Sequence, residues 1–217
     1  MLNLQRITTE YHRNEDRIAL SAVARSADAM AASQAHELTE PSAAASTTAT
    51  ATATEAEQSC VLWLTQRFLL LLVPHLLDWL DQQSPEMTRN PSKDPEVANL
   101  LQVMAQQSAR ARLTPEAPVQ VSAGSKPWLV EEVDINSVPA QGVRLLFKTK
   151  AGDKAGLVLD PQQLRQWLLI VYSQWQQAQW PLQVWPDWIS SAMPADDSDQ
   201  SVGDGSGVNK SGAGELH

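Results

Sequence analysis

The sequence predicts an α+β protein made of two βββα repeats. Their antiparallel sheet or sheets would be covered on one face by helices, with one inserted helix and disordered arms added. Three observations lead there. A short apolar run over 60–64 passes into a helical pattern over 65–80, and a second run over 155–159 passes into another over 160–179. Superposing the two helices sets Phe68, Leu71, Leu72, Leu76 and Trp79 on Leu164, Trp167, Leu168, Tyr172 and Trp175. Both sets follow the i, i+3, i+4, i+8, i+11 spacing of one helix face. Two further strand-like runs precede each unit, 3–11 and 17–22 in the first and 130–138 and 143–149 in the second.

Each element has a local reason. Residues 3–11 alternate imperfectly, Arg13-Asn14-Glu15-Asp16 supplies a polar turn, and 17–22 return as the second arm of a hairpin. Val61 and Trp63 open the third strand. The first repeat helix is apolar on more than one side, with Leu69, Leu70, Val73, Leu77 and Leu80 opposite the matched stripe. A helix apolar all round is expected to be buried all round, and Pro74, lacking an N–H, should kink it. After a polar linker over 82–93, Asp94-Pro95-Glu96 starts the inserted helix, 94–112. Asp caps it, Pro occupies its first turn and Glu meets the positive end of its dipole. Val97, Leu100, Leu101 and Met104 mark its apolar face; Gln106, Gln107, Arg110 and Arg112 mark the face expected to meet water.

Residues 114–127 read as a loop. In the second strand triplet Val133 and Ile135 alternate with Glu132 and Asp134, and Val143, Leu145 and Phe147 alternate with Arg144. Gln141-Gly142 and Ala151-Gly152-Asp153 provide the turns. Asp160-Pro161 repeats the cap-plus-proline start, and the second repeat helix keeps a wet side of glutamines. Beyond it, 180–189 leave as a proline-stiffened strap carrying Trp180, Trp185 and Trp188.

Two stretches offer too little apolar surface to fold. Residues 25–57 are mainly Ala, Ser, Thr and Glu, ending in alternating Thr-Ala over 48–54, and 190–217 are mainly Ser, Gly, Asp and Ala. Neither offsets an ordering entropy of roughly 1–2 kcal/mol per residue, so both are expected to be disordered. What is left, 1–24 with 58–189, has the size of a single domain, its first repeat at 1–81 and its second at 128–189. The net charge of −9 falls mostly on the arms, each with one basic and five acidic residues. A near-neutral folded part argues against a polyanion-binding protein.

The chemistry-bearing patterns are sparse. One cysteine, Cys60, excludes an internal disulfide, and its place in an apolar strand marks a structural thiol. The N-terminus lacks a signal-peptide pattern, and the apolar stretch over 63–80 holds Arg67, Pro74, His75 and Asp78, a poor spanning segment. A cytoplasmic protein of bacterial type, without membrane insertion, is the expectation. Zinc-ligand spacings and phosphate-cradling glycine motifs are missing. No catalytic, cofactor-binding or metal-binding residues are therefore assigned, and no cofactor is expected. His75 with Asp78, and Glu132 with Asp134, are the two pairs able to do acid/base work, each more simply read as structural.

The function that explains most of this is a non-enzymatic protein-interaction or assembly module. It would bind a protein partner or a second copy through Leu69, Leu70, Val73 and Leu77 of the first repeat helix and through Trp180, Trp185 and Trp188 of the strap. The alternative is a single-stranded nucleic-acid binder using Arg144, Lys148, Lys150 and Lys154 on the second hairpin, although nucleic acid is not the expected partner. An enzyme of unknown class ranks third.

Overall fold

The structure, a computed structural model, describes residues 1–26, 58–83, 95–122 and 124–192. The remaining parts of the expected arms and linker lie outside the described residues. Strands β1 (Leu2–His12), β2 (Arg17–Ser26) and β3 (Gln58–Thr65) lead into helix α1 (Gln66–Gln83). Helix α2 (Pro95–Ala111) and the two-residue strand β4 (Trp128–Leu129) come next. Strands β5 (Glu132–Val138), β6 (Gly142–Lys148) and β7 (Lys154–Leu159) then lead into α3 (Pro161–Gln177) and the short α4 (Asp187–Ser191).

One curled seven-stranded sheet runs in the order β4-β3-β2-β1-β7-β6-β5. It is mixed, which corrects the antiparallel expectation. β1–β2–β3 and β5–β6–β7 are antiparallel meanders, but β1 meets β7 in parallel, Leu2 to Leu4 against Ala155 to Leu157, and β4 meets β3 in parallel. Adjacent residues tie the two ends of this sheet together. The Val130 N–H donates to the Trp63 carbonyl on β3 (3.1 Å) and the Glu131 N–H to the Lys148 carbonyl on β6 (3.0 Å). The two halves are not equivalent, since β4, α2 and α4 have no counterpart in the first meander and its helix. Residues 25 and 26, expected in the disordered insert, close strand β2, and 190–191, expected in the tail, close α4.

Alternation decides which face is inner. Ile18, Leu20, Ala22 and Ala24 of β2, Cys60, Leu62 and Leu64 of β3, and Val143, Leu145 and Phe147 of β6 are all buried. Helix α3 packs on β1 and β7, α1 packs on β3 and α3, and α2 lies outside α3 and α4. The start of α3 is a capping box. Asp160 Oδ1 accepts from the Gln163 N–H (2.8 Å), Gln163 Oε1 accepts from the Asp160 N–H (3.0 Å), and Pro161 opens the first turn. Gly142 is obligatory at the β5–β6 turn, because its φ is +122° and a Cβ there would lie 2.1 Å from the Leu159 carbonyl oxygen.

Two expectations about helix faces fail. α1 is not buried all round: Leu70 and Leu71 are 40% and 67% exposed, while Leu69, Leu72, Val73, Leu76, Leu77, Trp79 and Leu80 are buried. Helix α2 is turned the other way from its expected orientation. It buries Gln102, Gln106 and Ala109, and leaves Val97, Leu100 and Met104 exposed, the last two at 58%. The cause is Arg165 on α3, a buried cation that needs acceptors. Its Nη2 donates to Gln102 Oε1, Gln102 Nε2 donates to Asp81 Oδ1 (2.7 Å), and Gln106 Nε2 donates to the Arg165 carbonyl (3.0 Å). Satisfying a buried charge outweighs the roughly 1.5–3 kcal/mol that burying one more leucine contributes.

The strap over 180–189 folds back into the core and is not an extended anchor. Trp175, Trp180 and Trp185 meet edge to face, with ring centroids 5.1 and 5.5 Å from Trp175, and Trp188 lies under the Arg165 guanidinium at 5.4 Å. The Trp180 indole N–H reaches Asp16 Oδ1 in the β1–β2 turn (3.0 Å), stitching the end of the described chain to its beginning.

Candidate functional site

Among the described residues the most exposed large apolar side chain is Leu71, and it stands in a groove between α1 and β5. The helical wall follows one stripe: Phe68, Leu71, Leu72, His75, Asp78 and Trp79. The opposite wall is the inner face of β5, where alternation places Glu131, Val133 and Ile135 on one side. The groove exists because β3 ends at Thr65 and turns into α1, whose first turn is capped by Thr65 Oγ1 accepting from the Phe68 N–H (3.2 Å). Beyond that point β5 has no strand on its free side among the described residues, being last in the sheet order. One end of the groove is closed by the Val130–Trp63 backbone bond. The other is closed by Trp79 Nε1 donating to Ser137 Oγ (2.7 Å). Its volume of about 620 Å³ suits a few apolar side chains or one small molecule.

The floor is apolar and the rim acidic. Asp78, Glu131 and Glu132 border the groove, with His75 beside them. Glu132 and Asp134, on the outer face of β5, converge on Lys148, whose Nζ lies 3.1 and 2.8 Å from their oxygens. Those hydrogen bonds, to Asp134 and to Glu132, raise the Lys148 ammonium above its ordinary value. The Glu132–Asp134 pair is thus the counter-charge of a lysine.

The positions expected to bind a partner separate sharply. Leu69, Val73 and Leu77 are buried in the chain's own core, as are Trp180, Trp185 and Trp188; Leu70 is the one with substantial exposed surface. The groove instead recruits Leu71, placed by the superposed stripe on the core side, and Val133 and Ile135, read as ordinary strand residues. The exposed Leu100 and Met104 of α2 form a second apolar patch. Of the basic residues, Lys148 is tied to its two carboxylates, Lys154 is its cross-strand neighbour, and Arg144 lies beside Gly156. Lys150 stands exposed in the following turn.

His75 and Asp78 are both exposed at the groove rim. Among the described residues no group of three or more His, Cys, Asp or Glu side chains is arranged to hold a metal ion, and no helix is long and apolar enough to cross a membrane. Cys60 is a free, buried thiol, and burial pushes its pKa up to about 11. Comparison with protein-family models, with curated proteins and with solved structures finds no match.

Proposed function

We propose that the chain is a protein-interaction module whose docking surface is the α1–β5 groove, acting in the cytoplasm. The partner is a protein segment that inserts apolar side chains between Leu71 and Ile135 and sets lysine or arginine against Asp78 and Glu131. The observation that carries this reading is Leu71, two-thirds exposed over an open apolar floor. A leucine in that position forgoes roughly 1.5–3 kcal/mol of burial, which a partner would supply. Both ends of the groove are pinned by hydrogen bonds, which favours inserted side chains over a strand added along β5. The shared order of three strands and a helix supports reading the two halves as diverged copies, and Leu71 marks where the copies part.

A random peptide library displayed on phage and panned on the full chain tests the assignment. Recovered sequences should pair Leu, Phe or Trp with Lys or Arg, and their synthetic peptides should lose at least about tenfold in affinity against Leu71→Glu, equal to about 1.4 kcal/mol. Peptides that bind Leu71→Glu as well as the parent, or that are acidic, would overturn it. Light scattering adds a second arm: a dimer abolished by Leu71→Glu would assign the groove to a second copy and reject a foreign segment.

A further inference from the structure

A second cavity lies near the middle of the sheet, at the parallel junction of β1 and β7. The two strands pair over three residues, the last pair being Leu4 with Leu157. The β1–β2 register shifts between Leu4 and Arg6, a bulge centred on Gln5. A bulge adds one residue to one strand and bends it. Here the bend coincides with the point where β1 parts from β7, and the strands diverge to leave a crevice of about 760 Å³. Leu157, Leu159, Trp167 and Ile170 give it an apolar floor, and residues 113–118 roof it on their way from α2. The edge of β1 that β7 abandons is met piecemeal by side chains and loop. Gln174 Oε1 accepts from the Tyr11 N–H (2.8 Å), Trp167 Nε1 donates to Thr9 Oγ1 (3.1 Å), and Thr8 Oγ1 accepts from the Val119 N–H (2.9 Å).

The charge of this crevice is opposite to that of the chain. Arg6, Arg110 and Arg112 line it against the one carboxylate Glu116, in a protein of net charge −9. Among the described residues the guanidiniums of Arg110 and Arg112 make one hydrogen bond each, to the Ala192 carbonyl (3.0 Å) and to Gln162 Oε1 (2.8 Å). A guanidinium has five donors, so both keep unused ones. The Arg6 side chain, on a strand whose backbone is paired with β2, makes no hydrogen bond or ion pair within the described fold. Cations converging over an apolar floor are matched by one ligand chemistry: an anionic head on an apolar body.

We infer that the β1–β7 crevice is a binding site for a small amphipathic anion, its carboxylate or similar head held by Arg6 and Arg112 and its apolar body lying on Trp167 and Leu157. The site is separate from the α1–β5 groove, and each stands or falls without the other.

Isothermal titration of the full chain with dodecanoate below its micellar concentration tests the site, with dodecylammonium as the charge-reversed probe. Dodecanoate should bind with one-to-one stoichiometry, dodecylammonium at least about tenfold more weakly, and affinity should fall as salt rises, because the pairing is electrostatic. Arg6→Gln should weaken dodecanoate several-fold and Arg6→Gln/Arg112→Gln at least tenfold, while Leu71→Glu leaves it unchanged. The Arg6 side chain is exposed and without a bond in the described fold, so its single replacement keeps the chain folded and the test decisive. Equal binding of the two probes, unaltered binding in Arg6→Gln/Arg112→Gln, loss of binding in Leu71→Glu, or no dodecanoate binding would each overturn the assignment.

Discussion

At the scale of single residues, burial sets reactivity and hydrogen-bond accounting sets stability. Cys60 lies on the inner face of β3 with its thiol pKa raised by burial to about 11, so at pH 8 the reactive thiolate is scarce and shielded. A thiol-disulfide reagent such as Ellman's should modify the native chain at least about a hundredfold more slowly than the chain in urea. Comparable rates would mean that β3 opens far more readily than its pairing implies. The tryptophan cluster offers a contrast between two neighbours. Trp175 Nε1 donates to the Pro181 carbonyl (3.0 Å), whereas the buried Trp185 Nε1 has no partner. Leaving a buried donor unpaired costs about 1–3 kcal/mol. Trp185→Phe removes that donor along with some packing and should change stability by less than about 1 kcal/mol, while Trp175→Phe strands a carbonyl and should cost about 1–3 kcal/mol. Urea titrations of both variants check the order, and a larger loss at position 185 would mean that its indole N–H has a partner after all.

At the scale of elements, the polar contacts among α1, α2 and α3 explain both an energetic oddity and a limit on what sequence reveals. Burial raises the Asp81 carboxyl above its ordinary value, with Arg165 pulling it back; burial lowers the Arg165 guanidinium, with Asp81 opposing. Each partner is thus shifted toward its neutral form, so desolvation outweighs their attraction across Gln102. The folded chain holds the Asp81 proton to higher pH than the unfolded chain does. This group's contribution is therefore fully present below the ordinary carboxylate value and is lost as pH rises through the raised one. Asp81→Asn should remove that fall, making the variant's stability at pH 7 relative to pH 4 higher than the parent's. Urea midpoints across that range measure it, and superimposable profiles would dismiss Asp81 as the titrating group. The same contacts show why α2 was legible in extent but not in orientation. Its described span, Pro95–Ala111, follows the local pattern of a proline and Glu96 in the first turn, while the expected cap Asp94 lies outside the described residues. Which face turns inward is decided by Arg165, over fifty positions away in sequence. Likewise the longer strands and the helices α1 and α3 are legible because alternation and 3.6-residue periodicity are local. Strand β4, two residues long, and helix α4, five long, owe their form to neighbours distant in the chain. Of the candidate groove, the excess of leucine on α1 was visible in the sequence. Its opposing wall of Val133 and Ile135 was not, because it depends on how the sheet curls.

At the scale of the molecule, the question is whether two similar halves are two independent ones. The connectivity argues that they are not. β1, the first strand of the chain, gains its outer neighbour from β7, and α3 of the second half packs on β1 through Trp167 and Gln174. Residues 128–131 belong to the second half, yet they close the edge of β3 in the first. Cutting between α2 and β4 would expose the parallel edges of β1 and β7 together, strip α3 from its sheet and leave α1 without β5. Fragments of 112 and 80 residues, 1–112 and 113–192, have little reserve against such losses, since small domains bury the smallest share of their surface. The full chain should unfold in one transition, with far-UV circular dichroism and tryptophan fluorescence coincident in urea. Fragments 1–112 and 113–192 should each lack a cooperative transition alone. Two autonomous repeats would give the opposite result: a biphasic curve for the whole and a sigmoidal one for either half. In that event the groove and the crevice would have to be treated as features of separate units. A single transition instead ties the groove and the crevice to one sheet that folds as a unit, as the β1–β7 pairing and the packing of α3 on β1 require.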